Sequence, residues 1–361
     1  MKRSGLTIVV LVVAVLLVAA CASETSSEST SASSTSAAEM EFLRLGFAFP
    51  PDFSMPGYYV SQERGYFADD ALEVELVILD GTAQVIQQLI AGNIDVGVGG
   101  PPPAVLLAGV EGADVVAFYQ IDQRNIFDIV VPADSDLQTL EDLEGGVLGV
   151  TDFSGGEIPV VNAALEGVGF YDGNDYVGLE VVAVGDGGPQ VAAAFEADRI
   201  SAFSGGDADT LALQQSGLEL RSILPEEYAV IPGNLIMATR ETLDNQADAV
   251  ARFGRAFAKG TVFAISSPSQ ALELGCEFAP ESCTDQEFAE LAMDYYVDLE
   301  TPPEGSPMGA LNMTGWQAVV EILQGQGELS DDFALDPYVD DSLLEKVNDF
   351  DRAAVEGDAA G

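Results

Sequence analysis

The chain has 361 residues, of which 13 are Lys or Arg and 60 are Asp or Glu, and it contains no histidine. The length and a hydrophobic content of 48% predict more than one core. The acidic balance excludes nucleic acid as a partner, because proteins that bind it cluster basic residues. Without histidine, nucleophile chemistry that uses a histidine base and histidine metal sites are excluded, so we expect no metal and no cofactor.

The N-terminus has the pattern of an exported, lipid-anchored protein. Residues 1–20 combine a basic start with an apolar run from Leu6 to Ala20, which predicts a signal peptide. The small residues directly before Cys21 resemble a bacterial lipobox, so we expect Cys21 to be lipidated and to anchor the protein outside the cell membrane. The alternative is an ordinary signal peptide with an incidental cysteine. Residues 21–40 are rich in Ser and Thr and predict a flexible tether.

Strand-like and helix-like segments alternate from residue 41 onward. Alternation of this kind predicts an α/β fold with mostly parallel sheets and helices on both faces. Everything after Asp244 reads as helical, and a capping box at Thr314 and Gln317 is expected to open one of these helices. The predicted strands are Phe42–Phe47, Leu72–Leu79, Ile94–Val98, Val115–Tyr119, Phe127–Val131, Val147–Val150, Glu180–Val184, Ile200–Phe203, Leu220–Leu224 and Leu235–Ala238.

Polar and glycine-rich turns follow several of these strands, where open α/β sheets bind their ligands. Each glycine has the alternative explanation of a tight turn, and Phe49 and Tyr58 have that of ordinary packing. The candidate ligand contacts are the backbone at Gly99, Gly100, Gly155, Gly156 and Gly205, the hydroxyls of Ser54 and Ser154, the polar side chain of Gln120, and the aromatic surfaces of Phe49, Tyr58, Tyr119 and Phe153.

Three charged residues near these turns leave the charge of the ligand open. Helix N-termini favour an anion, and Arg124 near a strand end supports that choice. Glu157 and Asp207 stand at two of the same helix starts, and they favour a cationic or hydrogen-bonding ligand if they face it. The alternative is that each acid only complements its helix dipole.

Two cysteines remain after Cys21. Cys276 and Cys283 are separated by a short segment that contains Pro280. In an exported protein this spacing predicts a local disulfide, with two free thiols as the alternative.

Several segments in chain order resemble the family of sulfonate, nitrate, taurine and thiamine-pyrimidine binding proteins. Tyr59–Phe67 followed by a strand resembles the family's Gly-Tyr-Phe opening, and Leu89–Gly97 resembles its aliphatic-x-Ala-Gly-x-x-Asp turn. Leu140–Val150 resembles the start of its second lobe, although the family's usual lysine is missing around Glu144–Gly146. These similarities span residues 42 to about 265.

The resemblance implies a two-lobed periplasmic-binding-protein fold, in which each lobe is a mostly parallel sheet flanked by helices. The chain is expected to cross between the lobes near Val131–Ser135 and to return near Ile231–Ala238. Lobe one then consists of 41–132 plus 236–361, and lobe two of 133–235.

The resemblance also implies a function as the solute-binding component of an ABC importer. Such a component captures a small molecule between its lobes and delivers it to an ABC permease subunit in the membrane. We expect a monomer that is not an enzyme and whose ligand is similar to a sulfonate, nitrate or taurine. The alternatives are a binder of a pyrimidine or other aromatic heterocycle and, more remotely, a carboxylate-based enzyme on the same fold.

Overall fold

The computed structural model describes residues 40–51, 53–153 and 155–359, and these residues form two five-stranded sheets flanked by helices. Cys21 and Ser154 lie outside the described residues. The first sheet, in spatial order, consists of β2 (Leu72–Ile78), β1 (Glu41–Phe47), β3 (Val96–Val98), β10 (Leu235–Thr239) and β4 (Val115–Gln120). The second, in the same order, consists of β7 (Glu180–Ala183), β6 (Val147–Val150), β8 (Ala202–Gly206), β5 (Phe127–Pro132) and β9 (Leu220–Ser222).

The helices connect these strands and complete the C-terminal part of the chain. They are α1 (Pro56–Glu63), α2 (Tyr66–Asp69), α3 (Thr82–Ile90), α4 (Pro102–Val110), α5 (Ile158–Gly167), α6 (Pro189–Glu196), α7 (Asp207–Gln215), α8 (Arg240–Ser266), α9 (Pro268–Phe278), α10 (Gln286–Glu300), α11 (Met313–Gly325), α12 (Leu344–Val347) and α13 (Arg352–Ala359). Short 3-10 turns occupy Leu140–Leu143, Glu226–Tyr228, Pro280–Cys283 and Asp336–Tyr338.

Each sheet contains one strand that runs against the others. In the first sheet β10 pairs antiparallel with β3 and β4, whereas β1 pairs parallel with β2 and β3. In the second sheet β5 pairs antiparallel with β8 and β9, whereas β6 pairs parallel with β7 and β8. The prediction of mostly parallel sheets is therefore confirmed, and in each sheet the antiparallel strand directly follows a crossing from the other sheet.

The first crossing between the sheets lies earlier in the chain than predicted. β5 pairs with β8 and β9, so it belongs to the second sheet, and the chain crosses within residues 121–126. The prediction of a crossing near Val131–Ser135 is wrong, because the apolar run of β5 gives no indication of which sheet it joins. The return crossing occupies residues 223–234, between β9 and β10. The assignment of the remaining residues to two lobes stays a prediction.

Helix α11 packs against helices that belong to both sheets. It contacts α4, which follows β3 of the first sheet, and α5, which follows β6 of the second. The helix is capped by Asn312, whose Oδ1 accepts a hydrogen bond from the Gly315 amide at 3.2 Å. The predicted capping box at Thr314 and Gln317 is wrong, because the helix begins before Thr314. The side chain of Trp316 is fully buried in this joint.

Two further features complete the fold. Cys276 and Cys283 form a disulfide that joins α9 to the 3-10 turn Pro280–Cys283, with their Cα atoms 5.5 Å apart. No helix among the described residues is long and apolar enough to cross a membrane.

Candidate functional site

The predicted ligand turns lie at the carboxyl edges of the two sheets. In the first sheet Phe47 is paired with Val98, so the turns that follow β1 and β3 begin side by side. In the second sheet Val150 is paired with Ser204, which places the turn after β6 beside the end of β8. Parallel strands bring these turns together because their carboxyl ends meet at one edge. The ligand contacts proposed for individual residues stay predictions except where the geometry contradicts them.

The turn after β3 uses its amides within the protein. Gly99 and Gly100 have φ values of 119° and 80°, which only glycine adopts without strain. The Gly99 amide donates to the Leu235 carbonyl at 3.1 Å, and the Gly100 amide donates to Asn234 Oδ1 at 3.0 Å. Both donors are already engaged, so the prediction that they bind a ligand is wrong in this conformation. The two glycines allow the backbone to make this turn, and the hydrogen bond from Gly100 to Asn234 connects the turn to the return crossing.

Three other candidates are parts of the core. Tyr58 is buried and packs against Phe47, with ring centroids 5.2 Å apart, so the packing alternative applies to it. Tyr119 is buried against Phe257, with centroids 5.6 Å apart. The Gln120 side chain donates to the Asp122 carbonyl at 3.1 Å and accepts from the Asn312 amide at 2.7 Å. These contacts hold the three side chains within the protein, and the predicted ligand contacts are wrong for them in this conformation.

The remaining turn residues lie near the carboxyl edges of the two sheets. Phe49 and Ser54 are half-buried after β1, and Phe153 is 57% exposed after β6. A Cβ at Gly156 would approach the Phe127 ring to 2.8 Å, so this turn lies against the start of β5. Gly155 lies in the same turn, and Gly205 lies near the end of β8.

Glu157 is turned into its own loop. Its Oε1 accepts a hydrogen bond from the Thr151 amide at 3.0 Å and another from the Thr151 hydroxyl. The residue is 2% exposed, and burial raises the pKa of its carboxyl while the bonds from Thr151 oppose that shift. A side chain held in this way shapes the turn after β6, and a contact of Glu157 with the ligand stays a prediction.

The replacement Glu157→Ala is therefore expected to lower the free energy of unfolding by about 1–3 kcal/mol, because it leaves the Thr151 amide without its acceptor. Glu157→Gln keeps an acceptor oxygen and should lose less. Urea denaturation of the two variants measures the difference. A Glu157→Ala variant with unchanged stability and abolished ligand binding would show instead that the carboxylate contacts the ligand.

The structure brings Arg124 and Asp207 together in one cavity. This cavity, of about 310 Å³, is lined from the first crossing, the return crossing, α7 and α10. Its walls are Arg124, Asn125, Ile126, Phe127, Asp128, Asp207, Thr210, Leu211, Gln214, Ser222, Leu224, Pro225, Ala229 and Tyr295. We call it the crossing cavity. It adjoins the carboxyl edge of the second sheet, where β8 and β9 end and β5 begins.

The charges of the crossing cavity are mostly negative. Arg124 forms an ion pair with Asp298 at 2.8 Å, and its guanidinium carbon lies 5.7 Å from the centre of the Tyr295 ring. Asp128 is held by the Ser222 hydroxyl at 2.6 Å, and burial raises the pKa of its carboxyl. Asp207 also lines the cavity. Arg124 is paired with Asp298, and Asp128 and Asp207 add two further carboxylates to the cavity.

Sequence reasoning missed several residues that shape this region. Asp128 and Tyr295 line the cavity, but neither stands in a turn with a recognisable pattern. Asp209 accepts bonds from the amides of Gly206 at 2.8 Å and Gly187 at 2.6 Å, and so joins the turns after β7 and β8. Its position three residues after a helix cap is a capping pattern that could have revealed it.

Two other observations limit where a ligand binds. A larger groove of about 670 Å³ lies between α9 and α10 beside the disulfide, away from the carboxyl edges of both sheets. Its position does not fit the site of an open α/β sheet. Within residues 40–51, 53–153 and 155–359, no group of three or more Cys, Asp or Glu side chains is placed to hold a metal ion.

Comparison with known proteins places the chain in a family. A family profile described as NMT1/THI5 like matches residues 52–271. The chain is 24% identical over 297 residues to a formylaminopyrimidine-binding protein of Halalkalibacterium halodurans, covering 81% of this chain and 86% of the relative. It is 23% identical over 316 residues to the riboflavin-binding protein RibY of Chloroflexus aurantiacus, covering 86% of this chain and 80% of that protein.

The fold has close counterparts among solved structures. The aliphatic sulphonate binding protein SsuA of Escherichia coli superposes with a TM-score of 0.63 at 18% sequence identity, covering 82% of this chain and 91% of that one. The match extends over both sheets, and it confirms the predicted periplasmic-binding-protein fold. The chain belongs to the NMT1/THI5-like family.

Proposed function

We propose that the protein is the extracytoplasmic solute-binding component of an ABC importer, which captures a small molecule at the crossing cavity and delivers it to a membrane permease. The observation that carries this proposal is the position of the cavity. Both crossing segments and the carboxyl edge of the second sheet contribute to it, so a ligand there touches the elements about which the sheets rotate. Similar proteins are named as binding proteins for a formylaminopyrimidine, for riboflavin and for aliphatic sulphonates, and these names support the same function.

The electrostatics of the cavity support a hydrogen-bonding heterocycle as the ligand. Asp128 and Asp207 offer acceptors to ring amino groups, and Tyr295 offers an aromatic face. Arg124 is balanced by Asp298, so it adds little attraction for an anion. A sulfonate or nitrate is the second candidate, supported by the similarity to the sulphonate binding protein.

We also propose binding without catalysis, as a monomer attached to the membrane through Cys21. The chain has no histidine, and its relatives are named as binding proteins. The attachment is supported by the lipobox resemblance before Cys21.

A thermal-shift panel on the full chain tests the proposal. An aminopyrimidine and riboflavin represent the heterocycles, and the sulfonates MOPS and taurine, together with nitrate, represent the anions. The heterocycles are expected to raise the melting temperature of the protein more than the anions do. A ligand at a hundred times its Kd adds about 2.7 kcal/mol of stability by mass action. A larger shift with MOPS or nitrate would assign the anion class instead. If no compound stabilises the protein while a chromogenic substrate is hydrolysed, the binding function is contradicted.

The role of the cavity is tested with one side chain. Asp207→Asn is expected to weaken binding of the stabilising compound by roughly ten- to a hundredfold, because a hydrogen bond to a charged group contributes about 1.5–3 kcal/mol. The matched control is Glu196→Gln, which changes an exposed acidic residue on α6, a helix beside the second sheet. This variant should bind the compound as tightly as the unmodified protein does. Isothermal titration measures both. Equal affinities for the two variants would place the ligand elsewhere.

A further inference from the structure

Two buried carboxyl groups lie where the first crossing meets α10. Asp122 is in the crossing and Glu300 is the last residue of α10, and each is only 1% exposed. The Gln123 amide donates to the Leu299 carbonyl at 2.9 Å, so the two segments run side by side. The solute-binding function described above does not use either carboxyl group.

Asp122 joins the two crossing segments to each other. Its Oδ2 accepts bonds from the amide and from the side-chain Nδ2 of Asn234, both at 2.8 Å. Asn234 lies in the return crossing, and its Oδ1 accepts from the Gly100 amide at 3.0 Å. One carboxylate therefore fixes both crossings and the turn after β3, at the place where any rotation between the sheets has to bend the chain.

Each carboxyl group has an oxygen that nothing in the described part of the chain satisfies. Asp122 Oδ1 and Glu300 Oε1 are inaccessible and have no hydrogen-bond partner there. Glu300 Oε2 accepts from the Thr261 hydroxyl at 3.1 Å. Two carboxylates in so dry a place repel one another, and such a pair normally retains a proton.

The electrostatic surroundings favour the protonated form. Burial raises the pKa of Asp122 to about 7, against the opposing effect of the bonds from Asn234. Burial, followed by the charge of Asp122, raises the pKa of Glu300 well above its ordinary value, and the bond from Thr261 opposes this. Arg124 in the first crossing acts on Asp122, and Glu300 acts on Tyr119 of β4. Tyr295 of α10 is affected by Asp122, Arg124, Asp128 and Asp207, and Arg124 is paired with Asp298.

We propose that Asp122 and Glu300 are positioning residues that couple the closure of the two sheets to the uptake of a proton. Rotation about the crossings strains the contact of Gln123 with Leu299 and the pairing of Arg124 with Asp298, and it admits water to the carboxyl groups. Hydration favours the charged form, so opening releases a proton and closure takes it up. The coupling itself does not depend on the proposed function. Its consequence does: if the protein binds a ligand between its sheets, the affinity for that ligand falls as the pH rises.

The coupling can be measured without a ligand. Spin labels are attached at two exposed positions, Ile90→Cys beside the first sheet and Val177→Cys beside the second. The full chain carries Cys21→Ser so that Cys21 is not labelled. The distance between the two labels then reports the distance between the sheets. The native disulfide removes Cys276 and Cys283 from labelling. The distance between the labels is expected to lengthen as the pH rises from 5.5 to 8.5. A distance that does not change over this range overturns the proposal.

Three variants separate the coupling from a merely structural role. Glu300→Gln removes one of the two carboxyl groups that can titrate, so the distance should lengthen less with pH than in the unmodified protein. Thr261→Val removes a bond that opposes protonation, so the transition should move to higher pH. Glu287→Gln changes an exposed acid on the same helix and should behave as the unmodified protein. A Thr261→Val transition at unchanged or lower pH contradicts the proposal, even if Glu300→Gln fails to fold.

Titration with riboflavin, an aminopyrimidine, MOPS and nitrate distinguishes this inference from the proposed function. If a probe binds, its Kd is expected to rise by up to about tenfold per pH unit above neutrality. A Kd that is independent of pH overturns the coupling and leaves the binding function intact. If none of the four binds while the label distance follows the pH, the ligand classes fail and the coupling stands.

Discussion

Replacing Trp316 with alanine is expected to lower the free energy of unfolding by about 3–5 kcal/mol, the usual effect of removing a large buried aromatic side chain. Trp316 is 0% exposed and lies in a cluster that includes residues of both α4 and α5. The cavity left by alanine would therefore open in the joint between the two sheets, where α11 packs against both helices. Urea denaturation followed by far-ultraviolet circular dichroism measures the loss.

The matched control is Trp316→Phe, which is expected to cost less than Trp316→Ala because the phenyl ring leaves a smaller cavity. In the part of the chain that the structure describes, the indole N–H of Trp316 has no hydrogen-bond partner, so phenylalanine removes no bond. Trp316 is the single tryptophan of the chain, and its fluorescence in the unmodified protein also reports on this joint. Equal stability of the two variants would show that α11 does not hold the sheets together.

Raising the pH from about 4 to about 7 is expected to lower the free energy of unfolding by on the order of 4 kcal/mol through Asp122 alone. Burial raises the pKa of this carboxyl from 3.8 to about 7 in the folded protein. The folded state thus holds a proton that the unfolded chain releases earlier. The stability is fully present below the unfolded pKa and is lost as the pH rises through the folded pKa. Urea midpoints at successive pH values give the slope.

Other groups contribute in the same direction over this range. Burial also raises the pKa values of Asp128, Glu157, Asp209 and Glu300. Asp122→Asn keeps an acceptor for Asn234 but cannot ionise, so its stability should vary less with pH than that of the unmodified protein. A variant with the same pH slope would show that Asp122 is already charged in the folded state at pH 5.

Much of the fold was predictable because strands and helices in this chain have distinct periodicities. The order of strands and the turns that follow them are local properties, and glycine at positions such as Gly99 marks a backbone that other residues strain to adopt. The first crossing was misplaced because the composition of β5 does not indicate which sheet the strand joins. Which sheet a buried strand joins depends on its hydrogen-bonded neighbours, and these are distant in sequence.

The contacts of the candidate site were less predictable than its place in the fold. Turns at strand ends direct attention to the carboxyl edges of the sheets, yet the amides of Gly99 and Gly100 and the carboxylate of Glu157 are engaged within the protein. A turn that binds a ligand and a turn that binds its own neighbours have the same composition. Tyr295 reaches the cavity from α10, far along the chain from Arg124, and no local pattern could indicate that.

By itself the sequence determined the class of fold, the alternation of strands and helices, the excess of acids and the exclusion of histidine chemistry, because all of these depend on composition or on short-range periodicity. Only the tertiary structure decided the crossings, the pairing of Arg124 with Asp298 and the burial of Asp122 beside Glu300. Charge in particular cannot be interpreted from sequence, since the same carboxylate is solvated on a surface and protonated in a dry interior. The 60 acidic residues are counted in the sequence, but the fold selects the few that are buried.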